Sequence, residues 1–239
     1  MTGCGPAKSA PFSVVVPVYN EAHIVDDAIV RMLRALEALG GEFELLVCEN
    51  GSTDDTAALV ASLQQQDPRI RLERLPEPDY GGAMRHGINA CIYDRVVIFN
   101  IDFWSVQFAQ EAVEKLGACD LVIGSKVMEG SDDRRPVMRR VLTRSFNRML
   151  RVAFGFRGTD THGMKALRRG AMDPILARCV TSRSIFDTEL VIRAERAGLR
   201  IAEVPVEVRE IRQPSYWSVA RRLPEVTWNL WKLARALRK

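Results

Sequence analysis

Five short apolar runs, separated by stretches with the spacing of amphipathic helices, constrain this chain more than any other feature. The first, Ser13 to Val18, reads S-V-V-V-P-V, a β-branched run suited to a buried strand. Residues 43–48, 70–75, 95–101 and 120–124 repeat the pattern. Between them the spacing predicts helices over 21–39, 54–66, 82–93 and 107–116. The first of these presents Val25, Ala28, Met32, Leu36 and Leu39 on one face and stops at Gly40-Gly41. Strands alternating with helices of crossover length predict a mostly parallel sheet covered by helices on both faces. Ligands of such sheets sit at the carboxyl ends of the strands. The polar residues there are Tyr19-Asn20-Glu21, Glu49-Asn50-Gly51 and Asn100-Ile101-Asp102.

Past Gly130 the pattern changes. Residues 134–154 form a long basic helical stretch, 155–167 a loop and strand, 187–198 a helix, and 200–208 an edge strand interrupted by Pro205. With no internal repeat and no clear linker, the 239 residues divide into a short tail over 1–12, one domain over 13–208 and a helical extension over 209–239. A net charge of +4 is too small to imply nucleic acid as a partner. Five scattered cysteines without C-x-x-C exclude a disulfide framework and point to a reducing compartment. No run approaches 18 apolar residues, so no spanning helix is expected, and the first residues lack the apolar core of a secretory signal.

Four segments carry chemistry. In V-V-V-P-V-Y-N-E-A, Asn20 and Glu21 stand where a strand runs into a helix, placed either to cap that helix or to meet a ligand. In C-E-N-G-S-T-D-D-T, a strand ends on Glu49 and Asn50, which read as contacts for a base or ribose hydroxyl, or as an ordinary turn with Asp54 near a cap. The segment matches neither G-x-x-x-x-G-K-[ST] nor G-x-G-x-x-G. In Y-G-G-A-M-R-H-G, the glycines permit close backbone approach and Arg85 has the length to reach a phosphate. In F-N-I-D-F-W, Asn100 and Asp102 fall on one side of an extended segment, an oxygen pair suited to a hard cation that bridges a diphosphate.

These segments, in this order, resemble glycosyltransferase family 2, whose fold is GT-A. The family's P-x-Y-N-E matches Pro17-Val18-Tyr19-Asn20-Glu21, and its acidic pair before G-S-x-D matches Glu49-Asn50 with Gly51, Ser52 and Asp54. Its glycine-rich stretch matches Gly81 to Gly87, including Gly82 and Arg85, and its D-x-D matches Asn100-Ile101-Asp102. Further on, G-S-K, R-R-P-x-x-R-R-x-x-T-x-x-x-N, D-T-H-G-M-K and F-D-T-E-L look like the dolichyl or polyprenyl-phosphate sugar synthase branch.

The resemblance implies an inverting enzyme that moves a sugar from GDP-mannose or a UDP-sugar to a polyprenyl phosphate, with Mg²⁺ or Mn²⁺ held by Asp102 and Asn100. It makes Asp102 and Asp160 the catalytic residues. The donor would meet Pro17, Tyr19, Asn20, Glu21, Glu49, Asn50, Asp54, Gly82, Arg85 and Asn100. Two amides replace acids of the family pattern, at Asn100 and Asn50, and an amide is an uncharged, weaker ligand for Mg²⁺.

An acceptor phosphate is already anionic at neutral pH and needs cations rather than a base. Lys126, Arg134, Arg135, Arg139, Arg140, Arg144 and Arg148 supply them, and Arg139, Thr143 and Asn147 share a helix face at i, i+4, i+8. The expected phosphate contacts are Lys126, Arg139, Thr143, Asn147 and Arg212. In the tail, Leu223, Val226, Leu230, Leu233 and Leu237 line one face, and Arg221, Lys232, Arg235 and Lys239 the other. With Trp217, Trp228 and Trp231 this predicts either a helix lying in a membrane surface or one packed on its own domain or a dimer partner. The expected location is cytoplasmic, peripheral on the inner face of a membrane. A hydroxyl acceptor, and a nucleotide-sugar-binding protein without catalysis, are the competing readings.

Overall fold

The computed structural model describes residues 9–181, 185–208 and 216–237. Its elements follow in the order β1 (Phe12–Val18), α1 (Val25–Glu37), β2 (Phe43–Asn50), α2 (Thr56–Gln66), β3 (Ile70–Leu75), α3 (Tyr80–Ala90), β4 (Arg95–Ile98), α4 (Val106–Lys115) and β5 (Leu121–Ser125). Then come β6 (Asp132–Asp133), α5 (Val137–Phe154), β7 (Lys165–Arg168), α6 (Arg169–Leu176), α7 (Phe186–Arg196), β8 (Ile201–Pro205), β9 (Glu207–Val208) and α8 (Tyr216–Ala236).

One sheet runs β3-β2-β1-β4-β7-β5-β8. Every neighbouring pair is parallel except those of β7, which is antiparallel to both β4 and β5. All seven residues of β1 are buried, as a central strand covered on both faces requires. Alternation sends Val14, Val16 and Val18 to the face covered by Ile29 and Met32 of α1, and Val15 to the face covered by Met84 and Ile88 of α3. The approach of α3 is close. A Cβ on Gly87 would sit 2.5 Å from Cys48 Sγ and 2.7 Å from Val15 Cγ1, which is why this helical position carries no side chain.

The mostly parallel sheet and the edge position of β8 agree with the sequence reading. Other expectations shift. The first helix begins at Val25 rather than Glu21, because residues 21–24 form a turn in which the Glu21 carbonyl accepts from Ile24 N at 3.0 Å and Val25 N at 2.9 Å. Helix α6 was not expected, since Pro174 stands inside it.

The apolar face of α8 is also not where a membrane helix would put it. Leu233 is fully buried, and Val226, Leu230 and Leu237 pack on the core that holds Leu190 and Val191. Trp228 and Trp231 instead stack on each other in solvent, centroids 4.8 Å apart, with Lys232 and Arg235 over their rings. The side chains of Trp217, Arg221 and Leu223, and all of Arg212 and Lys239, lie outside the described residues. Among the described residues no helix is long and apolar enough to cross a membrane.

Candidate active site

The β1–α1 and β2–α2 loops are laced together. Asn20 has φ 53°, unique among the described non-glycine residues. Its amide N–H donates to Ser52 Oγ at 3.0 Å and its Oδ1 accepts from Thr53 N at 2.8 Å. Asp54 accepts from Ala22 N at 3.2 Å and from Thr56 N at 3.0 Å, and Glu21 N donates to Thr56 Oγ1 at 2.9 Å. The Thr56 hydroxyl, followed by the backbone donors, holds the Asp54 carboxyl below the usual range.

Of the residues expected to meet a donor, Asn20 and Asp54 therefore build the loops. Pro17 is buried within β1, in register with Cys48. Tyr19 stands at the lip, 43% exposed. Glu49 is buried, accepts from Ser52 N and lies 3.5 Å from Arg74 Nε. Asn50 Oδ1 accepts from Asp79 N at 2.8 Å, so the amide at this position ties the end of β2 to the start of α3.

That start of α3 holds Gly82, which a Cβ would bring to 2.9 Å from Asp79 Oδ2. Arg85, one turn on, points elsewhere: its guanidinium lies 5.7 Å from the Phe186 ring centroid and donates to the Cys179 carbonyl at 3.3 Å. It is engaged in packing α3 on α7 and on the end of α6, so the expectation of a phosphate contact gains no geometry here.

The N-I-D segment is a turn, not an extended strand. β4 ends at Ile98, and Asn100 and Phe103 exchange backbone hydrogen bonds at 3.2 and 3.1 Å. Asn100 is exposed and Asp102 half-buried. Both remain at the carboxyl end of β4, beside β1.

β7 enters the same edge from the opposite direction. Its first residue, Lys165, is in register with Ile98 of β4 and Ile123 of β5, so a buried ammonium starts this strand at the edge where its antiparallel neighbours finish. Lys165 Nζ lies 3.0 Å from Asp187 Oδ1, and Tyr80 Oη donates to Asp187 Oδ2 at 3.3 Å. Burial first, then the Asp187 charge, pushes the Tyr80 phenol up, so it stays a donor. Glu189 serves structure: fully buried, it accepts from Val180 N, Thr181 N, Thr181 Oγ1 and Arg193 Nε.

At the end of β5, Lys126 Nζ lies 3.3 Å from Asp160 Oδ2 and donates to the His162 carbonyl. Asp160 also accepts from His162 N at 2.9 Å and Lys126 N at 3.3 Å. Burial alone would raise the Asp160 pKa, but the Lys126 ammonium and the His162 N–H override it and hold the carboxyl below its usual range. Burial lowers the Lys126 pKa, with Asp160 opposing and Arg135 and Lys165 reinforcing.

Lys126 opens on a cavity of about 240 Å³ whose lining includes Ser131, Asp133, Arg140 and Arg144. Of the face expected to grip phosphate, Thr143 Oγ1 donates to the Arg139 carbonyl at 3.0 Å, and Asn147, 2% exposed, donates to the Thr159 carbonyl at 2.6 Å. Asn147 thus fastens α5 to the loop before β7, Thr143 bonds back within the helix, and Arg139 is half-buried outside the cavity lining. The next residue round the helix, Arg140, and Arg144 one turn later, face the cavity. The basic cluster was legible in the sequence; the 100° that selects between neighbouring arginines was not. Lys165 and Asp187 had a weaker signal, a lysine heading an apolar run.

Among the described residues no group of three or more His, Cys, Asp or Glu side chains converges. The protein's own oxygen donors at the β4 end are the Asn100 amide and the Asp102 carboxylate. This pair fits a hard divalent cation that takes its remaining oxygens from a diphosphate and water.

The model of the family "Glycosyl transferase family 2" matches residues 13–176, and the chain belongs to that family. The chain is 32% identical over 211 residues to the glycosyltransferase AglD of Haloferax volcanii, covering 84% of this chain and 33% of that one. It is 27% identical over 217 residues to a dolichyl-phosphate beta-glucosyltransferase of Trichomonas vaginalis, covering 82% and 63%. The chain thus spans a third to under two thirds of the length of these relatives. Its fold matches the crystal structure of glucosyl-3-phosphoglycerate synthase from Mycobacterium tuberculosis, solved with Mn²⁺, UDP and glucosyl-3-phosphoglycerate, with a TM-score of 0.69 at 22% identity over 94% of this chain and 80% of that chain. The architecture is GT-A, as the resemblance implied.

Proposed function

We propose that this family 2 glycosyltransferase moves a sugar, with inversion, from a nucleotide-sugar donor to a polyprenyl or dolichyl phosphate. The observation that carries the reading is the cavity at the carboxyl edge of the same sheet that presents Asp102, where Lys126, Arg140 and Arg144 outnumber the carboxylates Glu129 and Asp133, the latter already paired with Arg135. A phosphate monoester in it is an anionic nucleophile that needs no general base. Lys126, Arg140 and Arg144 offset its charge against that of the donor, with Arg supplying fork geometry and Lys a point charge. The saturated Asp160 carboxylate fixes Lys126 rather than taking a proton.

On the donor side, Tyr19 and Glu49 border the nucleoside, and Gly82 lets the start of α3 approach. Lys165, held by Asp187, places a positive charge beneath the reacting centre. Asn100 and Asp102 would hold Mg²⁺ or Mn²⁺, which neutralises the departing diphosphate. The name of the Trichomonas relative makes glucose the first sugar to test, with mannose beside it.

The test is a panel of UDP-glucose, GDP-mannose, UDP-N-acetylglucosamine and UDP-glucuronate with a short polyprenyl phosphate and Mg²⁺ or Mn²⁺. Label in a mild-acid-labile lipid supports the reading. Transfer to a hydroxyl acceptor alone, or donor binding without turnover, overturns it.

A further inference from the structure

Helices α3 and α6 border a cavity of about 380 Å³, a volume suited to a small molecule. Its lining includes Arg85 and Asn89, one turn apart on α3, and Arg169 and Asp173, one turn apart on α6. It is separate from the site at Asp102. Asn89 lies in the last turn of α3, and Arg169 follows Arg168, which is in register with Arg95 where β4 begins. The cavity therefore belongs to the opposite edge of the sheet from Asp102 and Lys126.

Two guanidiniums meet here without a counter-ion. Arg85 Nη2 donates to the Cys179 carbonyl at 3.3 Å and Arg169 Nη1 to the Cys91 carbonyl, and among the described residues neither pairs with a carboxylate. Asp94, whose backbone carbonyl accepts from Arg169 N at 2.7 Å, spends its carboxylate on Arg168 Nε at 3.1 Å and Gly170 N at 2.9 Å. Arg85 Nε is buried without an acceptor, and a buried donor calls for one. Asn89 and Asp173 are both exposed, so they stand at the rim.

We propose that this cavity is a second ligand site that takes a phosphorylated sugar, its phosphate on Arg85 and Arg169 and its hydroxyls on Asn89 and Asp173. The planar guanidinium fork matches phosphate oxygens. A carboxylate in the same lining opposes a bare anion but accepts from a ligand that also carries hydroxyl donors. The site does not rest on the acceptor reading above.

The test is calorimetric titration of the full chain with glucose 6-phosphate and, separately, with inorganic phosphate. Glucose 6-phosphate should bind about tenfold tighter, because it alone reaches the rim groups. Asn89→Asp, a change at an exposed site, sets a negative charge against the phosphate and should weaken glucose 6-phosphate binding about tenfold. Arg169→Gln should do the same, and nucleoside diphosphate binding should be unchanged in both variants. Arg144→Ala, in the cavity at the other edge, should leave glucose 6-phosphate binding intact. Absence of binding at millimolar concentration overturns the proposal. So does binding that survives both Asn89→Asp and Arg169→Gln, or that is lost in Arg144→Ala. Equal affinity for the two probes overturns the assignment of a sugar to the rim.

Discussion

Lys126 and Asp160 face each other at 3.3 Å, 8% and 1% exposed, and the pair joins the end of β5 to the loop that leads into β7. Asp160 has its oxygens filled by Lys126 and by two backbone N–H groups, so it acts by holding an ammonium at the mouth of the basic cavity. Removing one partner leaves the other charged and buried, which destabilises by about 3–5 kcal/mol. Asp160→Ala is expected to lower the chemical-denaturation midpoint by that order and to raise the acceptor KM. Asp160→Asn keeps one acceptor oxygen but no charge and should fall between. An Asp160→Ala protein of wild-type stability and acceptor KM would show that the pair positions nothing.

The N-I-D turn predicts an unusual metal response. Asp102 is the single carboxylate in the turn, so Asp102→Ala should lower turnover about 10²-fold or more, as loss of leaving-group stabilisation does. Asn100→Asp should reduce the Mg²⁺ concentration needed for half activity, because a second charged oxygen strengthens a hard-cation site. Titration of activity against Mg²⁺ in EDTA-treated protein measures both. Full activity of Asp102→Ala in excess EDTA would contradict this role.

The cavity distinguishes adjacent arginines. Arg144→Ala removes a charge-assisted hydrogen bond to an acceptor phosphate, worth roughly 1.5–3 kcal/mol, and should raise the acceptor KM about 10- to 150-fold. Arg144→Lys should recover part of the loss, since the charge survives and the planar fork does not. Arg139→Ala, outside the cavity lining, should have the smaller effect. Acceptor kinetics beside calorimetric titration of the donor nucleotide measure these effects, and the reverse ranking would return the phosphate to the Arg139 face.

Much of this was legible in the sequence, for identifiable reasons. The parallel order of β1 to β4 followed from apolar runs at crossover spacing, and parallel pairing brings the polar ends of those strands to one edge of the sheet. What escaped notice is non-local. The antiparallel entry of β7, which puts Lys165 beside Ile98 and Ile123, has no local signature. The turn at Asn100 to Phe103 depends on two backbone hydrogen bonds that a strand pattern does not reveal. The apolar stripe of α8 was visible, but whether it meets lipid or its own domain is decided by an available face on α7 and not by the stripe.

Gly163 tests how tightly the centre is built. A Cβ there would run into the Gly124 carbonyl oxygen, on the strand that carries Lys126 to the cavity. Backbone cannot yield as a side-chain end can, so Gly163→Ala should destabilise by about 1–3 kcal/mol as overpacking does. Activity at a temperature where the variant is folded should also fall, because Asp160 and Lys165 flank the displaced segment. Gly198→Ala is the control for a general glycine effect: it has φ +73° and open space, so its strain is purely conformational. Equal thermal shifts and unaltered activity in both would mean that close approach contributes nothing.

The pH profile separates a phosphate acceptor from a hydroxyl one. A hydroxyl acceptor needs a carboxylate base, and the acid limb of kcat/KM would then report an enzyme carboxyl. Asp160 is held below the usual carboxylate range by Lys126 and His162 N–H, so it stays ionised down to that lowered value and gives no limb near neutrality. With a phosphate acceptor the acid limb falls near the second phosphate pKa, about 6, because protonation of the substrate removes nucleophilic charge. The alkaline limb belongs to Lys126. Burial lowers its pKa below the ordinary 10.5, and the ammonium holds the acceptor only below that depressed value. Acceptor KM should therefore rise as pH climbs through it, while donor binding stays level. Lys126→Arg should carry this limb out of range, since guanidinium keeps its proton above pH 12, and should leave the acid limb in place. A profile whose acid limb disappears in Asp160→Asn would assign the chemistry to an enzyme base and the acceptor to a hydroxyl, and an alkaline limb that survives in Lys126→Arg would take that limb away from Lys126.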